Sequence, residues 1–287
     1  MDTKLPLVTI AIPIYNAENY LGYAIQSVIN QTYKDWELLL MEDGSTDSSI
    51  EIAQEYANRD SRISIIRDGM NKGLVARLNQ SVSLAKGMYY ARMDADDIMA
   101  TSRIGQQVAY LKSHPNTDVL GSSTMLIDGD NHILGSRNMK DNTSSFIHPS
   151  VVGKTEWFKA NPYSADAYRV EDKDLWYRTS QKSTFFNLEL PLMFYRAFGS
   201  STSVQTFKSN QRQRKLFRKY KQYGKSLAWC IKNTLMSYIK DIVFFIMPLF
   251  GGDKFFGIIR KRHPVPEELC LTEKDLLKSI SHENSID

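Results

Sequence analysis

Three carboxylates fall within four residues at Asp94-Ala95-Asp96-Asp97, directly after the run 88–93, which is apolar apart from Arg92. Like charges crowded at a strand end repel one another unless a cation or hydrogen-bond donors sit among them. Oxygen ligands of this kind suit Mg2+ or Mn2+, which in turn bind substrate phosphates. The same residues also suit a solvated turn that caps the next helix, so the cluster alone leaves both readings open.

Other reactive groups follow apolar runs in the same way. Glu42-Asp43-Gly44-Ser45-Thr46-Asp47 comes after the run 36–41. An acid there can accept from a ribose or a base. The competing reading is a tight turn, with Ser45, Asp47 or Ser48 as helix cap. The first run ends Pro13-Ile14-Tyr15-Asn16-Ala17-Glu18, where Tyr15 suits stacking on a base and Asn16 suits a cap. Arg77 can reach a diphosphate or a carboxylate, or form a surface ion pair. Glu171-Asp172-Lys173-Asp174 opens a helix. One of these acids can act as a general base toward an acceptor hydroxyl, although the helix dipole favours carboxylates there in any case. His148 stands between the acidic groups, and a lone histidine is more often structural than a ligand. No G-x-G-x-x-G fingerprint occurs, which counts against a dinucleotide dehydrogenase.

The elements that must position these groups alternate. Val8–Ile14, 36–41, Ile63–Ile66 and 88–93 read as short buried strands, and a fifth begins at 118–120. Helical spacing covers 17–30, 50–58, 74–85 and 104–111, with Gly87 as a C-cap of the third helix. The region 122–178 is less regular, with a hairpin expected around Gly129-Asp130 and a helix over 171–181. This is an α/β pattern: a mainly parallel central sheet with helices on both faces. Ligands bind such sheets at the carboxyl ends of the strands, where the acids lie.

The 287 residues carry a net charge of +4, but 190–240 holds eleven Lys/Arg and no Asp/Glu, leaving 25 basic and 32 acidic residues elsewhere. Leu227, Ile231, Leu235, Tyr238, Ile242, Phe245 and Leu249 form one helical stripe in the tail. Its longest strongly apolar stretch, 242–247, is far short of the ~20 residues that span a bilayer, so an in-plane amphipathic helix fits better. A stripe that packs on the rest of the chain, or forms a homodimer, is the alternative. The basic block is confined to one segment without a nucleic-acid-binding module, so no nucleic-acid partner is expected. Cys230 and Cys270 make no disulfide framework or zinc spacing. The N-terminal run is broken by Pro6 and Pro13 and lacks a cleavage site, so it reads as a core strand rather than a signal. The expected division is a catalytic domain over 1–205 and a basic, amphipathic, helical region over 206–287.

The pieces also occur in a telling order: Pro13-x-Tyr15-Asn16; Glu42 to Asp47; Asn71-Lys72-Gly73 before Ala76-Arg77 and Asn79; Met93 to Asp97 with Arg103 beyond; and Glu171-Asp172-x-Asp174-Leu175-Trp176-x-Arg178. Together they closely resemble the family 2 inverting glycosyltransferases of the GT-A fold, of the bacterial surface polysaccharide type, over roughly residues 5–182. The resemblance implies a nucleotide-sugar donor, expected to be a UDP-sugar, and a glycan or lipid-linked glycan acceptor. It also implies a divalent metal, Mn2+ or Mg2+. Pro13, Tyr15 and Glu18 would wall the nucleotide pocket, Asp43 would contact the nucleoside and Arg77 would lie near the donor. Asp94, with Ala95 beside it, would hold donor hydroxyls and Asp96 the metal. Asp172 would be the catalytic base, with Glu171 and His148 near the acceptor. The family often has Asp where Glu42 stands, and an aromatic residue where Lys173 stands. With the tail, the resemblance implies a cytoplasmic enzyme, peripheral at the inner face of the cell membrane and attracted to its anionic surface. A sugar-nucleotide-binding protein without transfer activity and a D-x-D phosphatase are the alternatives.

Overall fold

The computed structural model describes residues 7–139, 145–197, 203–246 and 265–281. Strands β1 (Val8–Ile14), β2 (Trp36–Glu42), β3 (Ile63–Ile66) and β4 (Tyr89–Arg92) pair in parallel in the order β3-β2-β1-β4. Helices α1 (Leu21–Ile29), α2 (Ser49–Arg59) and α3 (Leu74–Leu84) connect them. Alternate side chains of a strand face opposite ways. Val8, Ile10, Ile12 and Ile14 accordingly pack with Leu21, Ala24 and Ile25 of α1. Ala11 instead joins Val75, Leu78 and Val82 of α3 on the other face. Burial on both faces is why β1 reads as a continuous apolar run.

The second half is more mixed than the sequence suggests. It comprises β5 (Ile98–Met99), α4 (Arg103–Ser113), β6 (Val119–Ile127), β7 (Ile133–Arg137), β8 (Val152–Lys154), α5 (Thr155–Ala160), α6 (Glu171–Thr179) and β9 (Phe185–Arg196). β8 runs antiparallel between β4 and β6, while β9 lies parallel to β6 and antiparallel to β5. β6 and β7 form the hairpin expected around Gly129-Asp130. β9 has no counterpart among the strands expected from sequence, and it carries Pro191, a residue that disfavours a strand interior. The sheet accommodates it at a register shift, where Pro191 lies opposite Ser123.

The tail contains α7 (Ser203–Phe217), α8 (Leu227–Ile246) and α9 (Glu273–Ile280). Leu216, Phe217 and Tyr220 pack with Ala167 and Val170 at the foot of α6. α9 begins with a capping box of Thr272 and Asp275. Its Leu276 packs with Ile98 of β5 and Phe194 of β9. Asn30 Nδ2 donates to the carbonyls of Lys278, Ser279 and Ser281, closing the C-terminal end of this helix.

Two local expectations change. α1 starts at Leu21 rather than near residue 17; the preceding segment is tied instead to the start of α2, with Ala17 N donating to Ser49 Oγ and Glu18 N to Asp47 Oδ2. Gly87 does not cap α3, whose C-cap is Ala85. A Cβ on Gly87 would lie 2.5 Å from Thr9 N and 2.7 Å from Leu7 O, so this glycine permits close approach of backbone to backbone. Gly87→Ala is therefore expected to lower unfolding stability by ~1–3 kcal/mol through overpacking, read as a lower urea midpoint at unchanged m. An unaltered midpoint would contradict this placement.

Candidate functional site

The loops after β1, β2 and β4 and the start of α6 converge on one cavity of about 610 Å³. It opens beside the boundary between β1 and β4, where the connections diverge to either side of the sheet. This is the place a doubly wound sheet offers a ligand. Of the residues singled out from sequence, Pro13, Tyr15, Asp43, Arg77, Asp94, Ala95, Asp96 and Glu171 line it.

The first two loops are knitted together. Thr46 N donates to Asn16 Oδ1 at 2.8 Å, Ala17 N to Ser49 Oγ at 2.8 Å, Glu18 N to Asp47 Oδ2 at 3.0 Å, and Ser48 N to Glu18 Oε2 at 3.0 Å. Asn16 takes a left-handed conformation, φ 49°, to enter this arrangement. Glu18 therefore ties the start of α2 and does not line the cavity. Ser48 sits at the N-cap of α2 without a side-chain cap bond, while Asp47 accepts from Ser49 N.

Asp43 is held from three directions. Lys72 N and Gly73 N donate to its carboxylate at 2.7 and 2.9 Å, and Arg77 Nε donates at 2.9 Å. Gly44 allows the turn: it has φ +75°, and a Cβ there would lie 3.0 Å from Asn71 N. Arg77 is not a surface ion pair. Its side chain is fully buried and bridges Asp43 to Asp68, which it meets at 2.7 Å. Breaking such a buried pair by removing one partner typically costs ~3–5 kcal/mol.

The acidic cluster is the electrostatic centre. Ligand oxygens of Asp94, Asp96 and Asp97 all lie within 4.8 Å of one another. Asp94 receives both Arg92 Nη2, at 2.5 Å, and Arg92 Nη1, at 3.2 Å. Burial, then the charge of Asp94, pushes the Asp96 carboxyl up to about 6. Asp97 is driven further above the carboxylate range, first by burial and then by its two neighbours. It does not cap α4, because β5 intervenes and α4 begins at Arg103. Its Oδ1 accepts from Arg196 N, and its Oδ2 is buried without a partner among the described residues. A divalent cation fits this donor set, since it would offset both the burial and the mutual repulsion that disfavour the charged carboxylates.

Across the cavity, Glu171 is the first residue of α6 and is buried, which raises its carboxyl above the usual range. Asp172, next along the helix, is partly exposed. His148 is elsewhere: it is buried, its Nε2 lies 3.0 Å from Tyr163 Oη, and it does not line the cavity. Burial, then Arg92, pushes its imidazole well below the usual value, so it is neutral. Asn71, from the Asn71-Lys72-Gly73 motif, also lines the cavity, together with Tyr168 and Arg169, which carry no motif in the sequence. Arg169 has φ 73°, a strained conformation of the sort that collects at functional sites. Arg92 left a trace in the sequence, as the one charge inside an apolar strand.

Comparison with known proteins places this geometry. The sequence profile of glycosyl transferase family 2 matches residues 9–187. EpsE of Bacillus subtilis is 36% identical over 189 residues, covering 60% of this chain and 66% of that protein. The chain thus spans about two thirds of the length of that relative. An Escherichia coli protein named UDP-Glc:alpha-D-GlcNAc-diphosphoundecaprenol beta-1,3-glucosyltransferase WfgD is 27% identical over 224 residues, covering 72% of this chain and 83% of WfgD. Among solved structures, the mannosyltransferase PcManGT of Pyrobaculum calidifontis, in complex with GDP-Man and Mn2+, superposes with a TM-score of 0.62 at 13% identity, covering 96% of this chain and 86% of PcManGT. The α/β fold is of the GT-A kind, and the chain belongs to glycosyl transferase family 2.

Proposed function

We propose that this chain is an inverting, metal-dependent glycosyltransferase that moves a sugar from a nucleotide-diphosphate donor, a UDP-sugar, to a hydroxyl of a glycan or lipid-linked glycan acceptor. The observation that carries the reading is the convergence of Asp43, Asp94, Asp96 and Glu171 on one cavity at the carboxyl ends of β1, β2 and β4. The name of WfgD, which pairs a UDP-sugar with a lipid-diphosphate-linked acceptor, supports the substrate classes, and so does the nucleotide-sugar in PcManGT.

In this reading Pro13 and exposed Tyr15 form the wall for the base, while Asp43, held rigid by Arg77 and two main-chain amides, meets the nucleoside. Asp94 takes donor hydroxyls. A divalent cation, Mn2+ or Mg2+, held by Asp96 would neutralise the leaving diphosphate as a Lewis acid. Asp172 accepts the proton of the incoming hydroxyl, and attack opposite the leaving group inverts the anomeric centre. Buried Glu171 beside it positions the acceptor. Buried His148 acts at a distance from the cavity, by supporting Tyr163 and Trp176.

We place the catalytic domain at 1–205 and a basic helical region at 206–287, whose last helix returns to the sheet beside the acidic loop. No described helix is long and apolar enough to cross a membrane. The stripe on α8 is exposed nonetheless: Leu227, Ile231, Leu235, Tyr238 and Ile242 are more than half exposed and Phe245 is 80% exposed. Leu249 lies outside the described residues. Asp241, the first acid after the basic block, is paired with Arg214. An apolar face flanked by exposed Lys232 and Lys240, in a segment rich in Lys and Arg, suits the inner, anionic surface of a cell membrane, where a lipid-linked acceptor resides.

Asp172→Asn is expected to retain UDP affinity in calorimetry and to lose transfer by ~10²–10⁴-fold, the range for a general base; full transfer would remove the assignment. If the wild type releases no nucleotide from any donor with acceptor present, the non-transferring, sugar-nucleotide-binding reading replaces this one. A chelator is expected to abolish transfer and Mn2+ or Mg2+ to restore it; turnover unaffected by chelation excludes the metal role. Finally, the full-length triple variant Ile231→Ser, Leu235→Ser, Ile242→Ser is expected to stop floating with phosphatidylglycerol vesicles while keeping its melting midpoint. Substitution is preferable to truncation here, since truncation would also remove α9.

A further inference from the structure

Arg196, the last residue of β9, is almost fully buried at the rim of the cavity. Its guanidinium ties together segments far apart in sequence. Nε donates to the main-chain oxygen of Asp96 at 2.8 Å. Nη1 donates to the carbonyls of Asp128 and Gly129, and Nη2 to Asn131 Oδ1 at 2.7 Å, all in the turn between β6 and β7. Its Cζ lies 4.2 Å from the ring centre of Tyr20, which lines the cavity. The Arg196 main-chain N–H donates to Asp97 Oδ1 at 2.8 Å. These guanidinium acceptors are all neutral, and among the described residues no carboxylate pairs with this cation as Asp43 and Asp68 pair with Arg77 and Asp94 with Arg92.

A fork of five N–H donors in one rigid plane is suited to fixing several carbonyls at once, which an ammonium on a flexible stem is not. A site whose loop is already in place loses less ordering entropy when its ligand arrives. We propose that Arg196 is a positioning residue of the donor site: it clamps the main chain of the 94–97 loop to the β6–β7 turn, so that the Asp94 and Asp96 carboxylates stand in their cation- and diphosphate-binding arrangement before the donor binds. The proposal rests on the reading that these carboxylates face a metal-bound diphosphate. A role confined to joining β9 to the hairpin would predict lower stability with unchanged ligand binding by the folded protein.

The test uses full-length Arg196→Gln, Arg196→Lys and Asn131→Ala. UDP is titrated with and without Mn2+, and amide hydrogen exchange is followed over 94–99. Arg196→Gln is expected to reduce the Mn2+-dependent gain in UDP affinity at least tenfold and to speed exchange at Asp96 and Asp97. Affinity for UDP without metal, set by the Asp43 end of the cavity, is expected to stay within twofold. Arg196→Lys, which keeps the charge but cannot reach Asp96 and the turn together, is expected to show the same loss. Wild-type Mn2+ dependence in either folded variant overturns the proposal. If both fail to fold, Asn131→Ala decides: faster exchange at Asp96 and a several-fold smaller Mn2+ gain support the clamp, and unchanged values overturn it. If the wild type binds UDP with no Mn2+ dependence, the cation reading fails separately. Exchange over 94–97 then decides the clamp alone, with wild-type rates in the variants counting against it.

Discussion

Crowding three carboxylates at the end of β4 is the constraint around which the second half of the chain is built. Two unit charges about 4 Å apart interact with ~4 kcal/mol at the effective dielectric of a protein surface, so Asp94, Asp96 and Asp97 cannot share one loop without compensation. The fold supplies buried cations. Arg92 grips Asp94 from within the strand. Arg103 lies fully buried behind the loop, donates to the carbonyls of Arg92 and Val151 and to Gln107, and is itself pushed down to about 9 by burial. Arg196 approaches from the far side. Burial first, and then the neighbouring carboxylates, still hold the Asp96 and Asp97 carboxyls above their usual range. Under the proposed function, a cation bound there would complete this compensation.

The opposite wall follows a different logic. α6 carries Glu171 and Asp172 in its first turn, where the dipole favours acids, and the helix is fixed by apolar packing. Trp176 packs with Phe146, Trp157 and Phe185. From below, Leu216, Phe217 and Tyr220 of the tail close against Val170, and Lys219 pairs with Asp166. The basic segment after β9 is thus amphipathic in function: its aromatic residues support the helix that bears the acids, while its Lys and Arg largely face outward. α9 performs a similar service for β5, the strand that leaves the acidic loop. Removing the tail would therefore disturb the site from two sides.

The sequence by itself determined what is local. Alternating buried strands and helices, acids immediately after strands, and turn residues such as Gly44 follow from short-range chemistry. These were legible as β1 to β4, α1 to α4 and the lining acids. The tertiary structure alone decided what depends on partners distant along the chain. For Arg77 the sequence left a ligand contact and a surface ion pair both open, and the fold buries it between Asp43 and Asp68. His148 lay between two acidic groups in sequence, yet in space it sits behind the cavity against Tyr163. β9 carries an alternating apolar pattern interrupted by Pro191, and only its pairing with β6 and β5 shows that the proline is tolerated there. Arg196 acts on Asp96 across 100 residues of chain. Spacing can place an acid at the end of a strand. Only the closed sheet can bring to it the arginines that make its charge tolerable, because electrostatic compensation is a property of distance in space and not of order in the chain.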